Sequence, residues 1–487
     1  MIEPSQPSNL LPDSEEYVQG EHPFSPVLTA LCLMICVCGF GLLLWTVASS
    51  DGVRESVTAS RDLERIASRL LGFESRLSEL SVFEQAMFHL WGESGDTQGQ
   101  LRLWYAELPE ERRHPLDELY LGILDGEADL KSDLIETMEG WSAESFPFPI
   151  FRRFLDVGYL ERGQVDHDYD ILQAQLAEEV PANWFYFQLA RRLARQSGDE
   201  SLRDHLQRQF QELTNPQLWG WRALLIFELS MAGIGLICLA SVASMWLKNR
   251  SLQRAEWFNH GPSPWSFHEG MAVLARGGAL SIFFIAVMAV VPYGVSIFEG
   301  YESLLLYLPT VLLASVWLCR SKSQSLLEVL GCKKVFQRLG SSFPLLLSVI
   351  ALGLIGDWLI MFVGETFEIS VHWTEWFLPQ LVWGSQAELV KTTLEVVVLA
   401  PIFEELIFRG ILYSTLRAKF GVPASIIGSA VIFALAHGYG PMAFLAVFWS
   451  GMLWAWIYER TGSVIPGMCA HVINNGLVVY SLVAIFR

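Results

Sequence analysis

Residues 400–410 read Ala400-Pro401-Ile402-Phe403-Glu404-Glu405-Leu406-Ile407-Phe408-Arg409-Gly410, an apolar stretch that carries two carboxylates and a guanidinium. Such charges are ordinary on a soluble helix and expensive inside a bilayer. The surrounding chain decides which case applies. Of its 487 residues 52% are hydrophobic and only 17% charged, below the roughly 25% of soluble domains, and the mean hydropathy is +0.34. The formal charge of −19 is unevenly spread. Residues 1–25 contribute −5, residues 51–218 contribute −15, and the remainder is close to neutral at +1. The neutral part divides into runs of the length a spanning helix needs, about 20 apolar residues. They are 26–49, 223–246, 277–298, 303–319 and 343–363, with shorter or interrupted ones at 389–412, 422–438, 441–458 and 464–486. The stretch around Glu404 therefore belongs to a membrane helix.

These runs predict an all-α protein, a polytopic transmembrane bundle of about eight or nine spans with an inserted helical extramembrane domain. Its parts are an acidic tail (1–25), a first span (26–49), the acidic block (51–218), spans with cytoplasmic loops (219–340) and a final membrane domain (341–487). High apolar content excludes intrinsic disorder, and the lack of a basic patch excludes nucleic acid as a partner. Lys248, Arg250 and Arg254, then Arg320, Lys322, Lys333, Lys334 and Arg338, then Arg417 and Lys419, and finally Arg460 fall in alternate loops. The intervening loops 299–302 and 364–388 hold Glu299, Glu302, Glu365, Glu368, Glu375 and Glu388 without a base. The positive-inside rule then predicts a multi-pass cell-membrane protein with its N-terminus in the cytoplasm and residues 51–218 outside. Arg54, Arg61, Arg65 and Arg69 run against that assignment. Long domains translocate largely regardless of charge, so the later loops weigh more. The acidic start of the first span reads as a signal anchor and not a cleaved signal. None of the seven cysteines lies in 51–218, so that block cannot rest on disulfides.

The acidic block reads as helices. In 184–194, Trp184, Phe185, Phe187, Leu189, Ala190, Leu193 and Ala194 form one apolar face. Breaks at Gly95-Asp96, Gly126-Glu127, Gly163-Gln164 and Gly198-Asp199 recur near the roughly 34-residue period of tetratricopeptide hairpins. Two readings stand: a repeat surface that binds a protein partner, or a plain helical domain with evenly spaced turns.

The polar residues within the last hundred positions suggest chemistry. Glu405 and Arg409 stand at i,i+4 and can pair on one helix face. Glu404 lies about 100° away and is free to meet another group. Phe433-Ala434-Leu435-Ala436-His437 ends in an imidazole, and His471 and Asn475 again stand at i,i+4. A carboxylate near His437 can deprotonate a water. Donors from His471 and Asn475 can hold the oxyanion that forms when that water attacks a peptide carbonyl. Glu395, nine residues before Glu404, falls on the opposite face of a regular helix and outside this set. Asp357 is a further intramembrane acid, for which pairing with a neighbouring helix is the simplest expectation. Straight spans put Glu404 and His471 about 10 Å from one membrane face and His437 over ~20 Å from it; catalysis needs the three together.

Glu404-Glu405-x-x-x-Arg409, Phe433-x-x-x-His437 and His471-x-x-x-Asn475 resemble, in order and surroundings, the three motifs of the CAAX-processing and bacteriocin-processing (CPBP or Abi) family, which includes the type II CAAX prenyl proteases. The resemblance covers roughly residues 340–487. It implies an intramembrane glutamate-type endopeptidase acting on membrane-associated proteins or peptides. Glu404 with His437 would activate water, His471 with Asn475 would form the oxyanion site, and Glu405, Arg409 and Phe433 would support them. No cofactor is expected. Zinc held by Glu404, His437 and His471 is the alternative mechanism, and a scaffold or bacteriocin-immunity protein is the alternative function. The chain has no His-Glu-x-x-His and no Gly-x-Ser-Gly within a span, and Gly353-Leu354-Ile355-Gly356-Asp357 departs from the presenilin-like Gly-x-Gly-Asp.

Overall fold

The computed structural model describes residues 24–49, 60–90, 96–109, 111, 113–141, 145–160, 169–248, 265–290, 301–319, 325–332, 339–367, 369 and 377–487. The tail up to residue 23, Gly95, Gly163-Gln164, Arg54 and the loop charges Arg250, Arg254, Glu299, Arg320, Lys322, Lys333, Lys334, Arg338, Glu368 and Glu375 lie outside these residues. The described fold is a helical membrane bundle with a helical extramembrane block, and among the described residues there is no strand.

The apolar helices are α1 (Pro26–Ser49), α2 (Glu200–Lys248), α3 (Phe267–Val290), α4 (Glu302–Trp317), α5 (Leu339–Thr366), α6 (386–417), α7 (Val422–Leu435), α8 (Pro441–Thr461) and α9 (Ile465–Phe486). Of these, α2, α3, α5, α8 and α9 are long and apolar enough to cross a membrane, while α1, α4 and α7 hold shorter apolar stretches. The third span begins ten residues before the expected position. Arg276, which falls within it, is tolerated because its guanidinium donates to Thr29 Oγ1 at 2.7 Å and to the carbonyl of Ser25 at 3.1 Å. Close helix contact relies on small residues, as in other membrane bundles. A Cβ on Gly235 of α2 would fall 2.2 Å from the Leu347 carbonyl oxygen of α5.

Helix α2 runs 49 residues, about 74 Å, without a break at residue 218. The boundary expected there therefore lies inside one helix, and block and bundle share a continuous rod. The block's core forms around Tyr120 stacked on Phe185, with ring centroids 4.1 Å apart. The apolar face expected in 184–194 is buried at every named position. Of the expected breaks, Gly198 makes a turn at φ +72°. The helix Pro115–Glu127 ends at the expected Gly126-Glu127 break, with a turn before Lys131, and a Cβ on Gly126 would strike the Tyr159 ring at 2.5 Å. Gly126 therefore also serves close packing.

The same core continues into the membrane domain through Phe377, Leu381, Val382, Val479, Leu482, Ile485 and Phe486. Gln217 Nε2 donates to the Ile485 carbonyl at 2.6 Å, and Arg487 Nη1 donates to the Leu381 carbonyl at 3.2 Å. The end of α9 thus sits on the block's side of the bundle.

Candidate active site

Helix α6 is not a regular α-helix. Its α-helical pieces Gln386–Leu394, Ala400–Glu404 and Ser414–Arg417 alternate with π-helical runs Glu395–Leu399 and Glu405–Tyr413. A π turn absorbs an extra residue and is common at functional sites. It also changes which side chains share a face. Nine regular α steps would turn Glu395 about 180° from Glu404, whereas one absorbed residue leaves about 80°. Glu395 accordingly lines the same cavity as Glu404, and the expectation that it faces away is corrected. It is 6% exposed, and its Oε1 accepts the backbone N–H of Ser303 at 2.7 Å.

Glu404 has two partners on other helices. The Tyr307 hydroxyl of α4 donates to its Oε1 at 3.2 Å, and His471 Nε2 of α9 lies 3.6 Å from Oε2. Glu405 is fully buried and ion-paired with Arg409 Nη1 at 2.9 Å, as the i,i+4 spacing requires. Its Oε1 also meets His471 Nδ1 at 3.2 Å. The Arg409 guanidinium lies over the Phe433 ring, 4.1 Å from its centroid, and 5.0 Å from that of Trp454. Trp454 stacks on His471 at 3.9 Å with an interplanar angle of 22°, and Phe433 meets His471 edge-on at 5.8 Å. The imidazole of His471 is therefore stacked on Trp454 and held through Nδ1 by Glu405.

His437 follows the end of α7, whose 14 residues span about 21 Å, less than the hydrocarbon thickness of about 30 Å. A short helix ends at depth, which removes the mismatch that straight full-length spans create. His437 Nδ1 meets the Phe433 carbonyl at 2.8 Å. A carbonyl only accepts, so this nitrogen carries the proton and Nε2 keeps its lone pair in the neutral ring. His437, Glu404, His471 and Asn475 line one cavity of about 560 Å³, and Glu404 and His437 are not hydrogen-bonded to each other. Asn475 Nδ2 donates to the Val396 carbonyl at 2.9 Å, a backbone group within the first π run. Its amide thus braces α6 as well as facing the cavity.

Sequence spacing found Glu404, Glu405, Arg409, Phe433, His437, His471 and Asn475, and the fold brings all of them to this site. It missed Tyr307, Trp454 and Glu395. A lone Tyr or Trp in an apolar span carries no signal, whereas Glu395 was visible as an acid in a span. Among the described residues no group of three His, Cys, Asp or Glu side chains is placed so that it could hold a metal ion.

Residues 386–477 match a family model described as type II CAAX prenyl endopeptidase Rce1-like. This segment runs from the start of α6 past Asn475 and contains every motif residue. The segment is thus similar to an Rce1-like domain of the CAAX-processing type, and the match supports a multi-pass membrane endopeptidase in general. No curated protein and no solved structure matches the chain.

Proposed function

We propose that this protein is an intramembrane glutamate-type endopeptidase that hydrolyses peptide bonds of membrane-associated substrates. The observation that carries the reading is the buried Glu404 and His471 with the half-buried His437 on one cavity inside a membrane bundle. Glu404 and His437 Nε2 flank a space in which a water can lose its proton to the carboxylate as it attacks the carbonyl carbon. Asn475 holds the developing oxyanion through its second amide N–H, and His471, whose Nδ1–H is given to Glu405, joins it when Nε2 also carries a proton. Glu405, with its charge met by Arg409, orients His471 through Nδ1, and Tyr307 holds the Glu404 carboxylate in place. Every step uses side chains of the chain itself and none requires a metal. Apolar walls from Leu354, Met361, Leu477 and Val478 suit a hydrophobic substrate segment. The alternate placement of basic loops favours a cytoplasmic N-terminus and an extracytoplasmic block, which we assign to recruiting a protein partner or substrate.

The test is comparative proteomics of membranes carrying wild type or Glu404→Gln, with folding of the variant checked by detergent-solubilised gel filtration. Loss of specific cleavage products in the variant is expected. Full biological function in Glu404→Gln would favour the scaffold reading and sink the catalytic one.

A further inference from the structure

Tyr307, which donates to Glu404 Oε1 at 3.2 Å, comes from a helix that cannot fix its own first turns. Helix α4 starts at Glu302, and its N-cap residue Tyr301 makes no side-chain cap. The first N–H groups of a helix have no acceptor within it. Further along, Pro309 lies inside the helix and offers no N–H to the carbonyl of Leu305. The stretch that carries Tyr307 therefore lies between a start that its own N-cap residue leaves open and a missing rung. Its anchors come from other helices. Glu395 Oε1 of α6 accepts the N–H of Ser303 at 2.7 Å, about one turn before Tyr307. Ser281 Oγ of α3 lies 2.5 Å from the Leu306 carbonyl oxygen, next to Tyr307, and 3.0 Å from that of Gly277 in its own helix. Both anchoring side chains are buried.

A carboxylate at a helix N-terminus is favourable, because it meets the open N–H groups and the positive end of the helix dipole. That accounts for an acid inside the bundle at this position. Glu395 Oε2 has no hydrogen-bond partner, so the Ser303 amide is the bond that orients the side chain. The π run Glu395–Leu399 brings Glu395 toward the side of α6 that carries Glu404. One helix thus grips α4 twice, at Ser303 through Glu395 and at Tyr307 through Glu404.

We propose that Glu395 is a positioning residue: by capping α4 from outside, with Ser281 bracing the same turn, it sets where the Tyr307 hydroxyl meets Glu404. This reading rests on the peptidase function proposed above.

The experiment uses the full-length protein in lipid nanodiscs and a quenched-fluorescent peptide that spans a cleavage site found in the comparison of wild type with Glu404→Gln. Both kcat and KM are measured for wild type, Glu395→Met, Glu395→Gln, Ser281→Ala and Tyr307→Phe. Glu395→Met and Ser281→Ala are also each combined with Tyr307→Phe. Glu395→Met keeps the bulk but removes the acceptor, and should lower kcat at least about tenfold with KM within about twofold. Glu395→Gln keeps an oxygen for the Ser303 N–H and should recover all but about threefold of that loss. Added to Tyr307→Phe, Glu395→Met should cost less than about twofold, since the hydroxyl it positions is already gone. A residue that only holds the bundle together would lower activity by the same factor in both backgrounds. Equal factors therefore overturn the proposal, as does a wild-type kcat in Glu395→Met or a loss in Glu395→Gln as large as in Glu395→Met. If Glu395→Met does not fold, Ser281→Ala decides. A kcat lowered about threefold in wild type but not in Tyr307→Phe supports the proposal, and an unchanged kcat or equal factors overturn it. Each of these overturning results leaves the peptidase reading standing, whereas no cleavage by wild type removes both.

Discussion

Replacing Arg409 by Met should unfold this protein far more readily than its modest loss of volume suggests. Arg409 is 1% exposed and Glu405 fully buried, with 2.9 Å between Nη1 and Oε1. Met restores most of the aliphatic volume but leaves the Glu405 carboxylate uncompensated. Breaking a buried pair from one side costs about 3–5 kcal/mol. The lost cation–π contacts with Phe433 and Trp454 add about 1–2 kcal/mol. The double variant Glu405→Gln/Arg409→Met removes both charges, and Gln keeps an oxygen for His471 Nδ1. Exchanging a buried pair for neutral groups is often close to neutral in stability, so the double variant should regain most of the loss. The assay is unfolding in mixed micelles titrated with SDS and followed by tryptophan fluorescence, with wild type, single and double variants side by side. If the double variant is as unstable as the single one, the penalty comes from packing and not from an orphaned charge. The electrostatic account of the Glu405–Arg409 pair would then be wrong.

Three further outcomes are expected. Tyr307→Phe removes the hydroxyl that donates to Glu404 Oε1 and should lower kcat by about tenfold or more with the fold intact, measured on the cleavage products identified above. Gly467→Ala places a Cβ 2.8 Å from Glu405 Oε2, in a carboxylate already held by Arg409 and His471, and should lower kcat about tenfold with little change in KM. In the extramembrane block, burial pushes the Glu74 carboxyl up to about 7, against the Thr97 hydroxyl that donates to it and helped by Asp96. Its folded value lies above the ordinary 4.5, so the native state holds the extra proton and stability falls as pH rises from about 4.5 to 7. Glu74→Gln should flatten that slope in denaturant melts at pH 5 and pH 8; an unchanged slope contradicts the assignment.

Legibility in the sequence followed interaction range. Apolar length is a property of the chain alone, so α1, α5, α8 and α9 were read within a few residues. The third helix starts before its apolar run and takes in Arg276, whose partner Thr29 lies on another helix. The motif pairs were equally local: an i,i+4 spacing puts Glu405 beside Arg409 in any helix that forms there. Glu395 was misread for an instructive reason. Its face depends on the helical pitch, and the π run that resets the pitch leaves no mark in residue spacing.

The sequence by itself determined that this is a helical membrane protein, where its charges concentrate, and which acids and imidazoles stand ready for hydrolysis. Only the tertiary structure decided which of them meet. It set Tyr307 of α4 on Glu404, stacked Trp454 on His471, and placed the short α7 so that His437 reaches the cavity. It joined the acidic block to the end of α9 through a shared core. The physical reason is the same throughout. Burial and spacing along one helix follow from local sequence, whereas a partner for a buried charge is supplied by whichever helix packs against it.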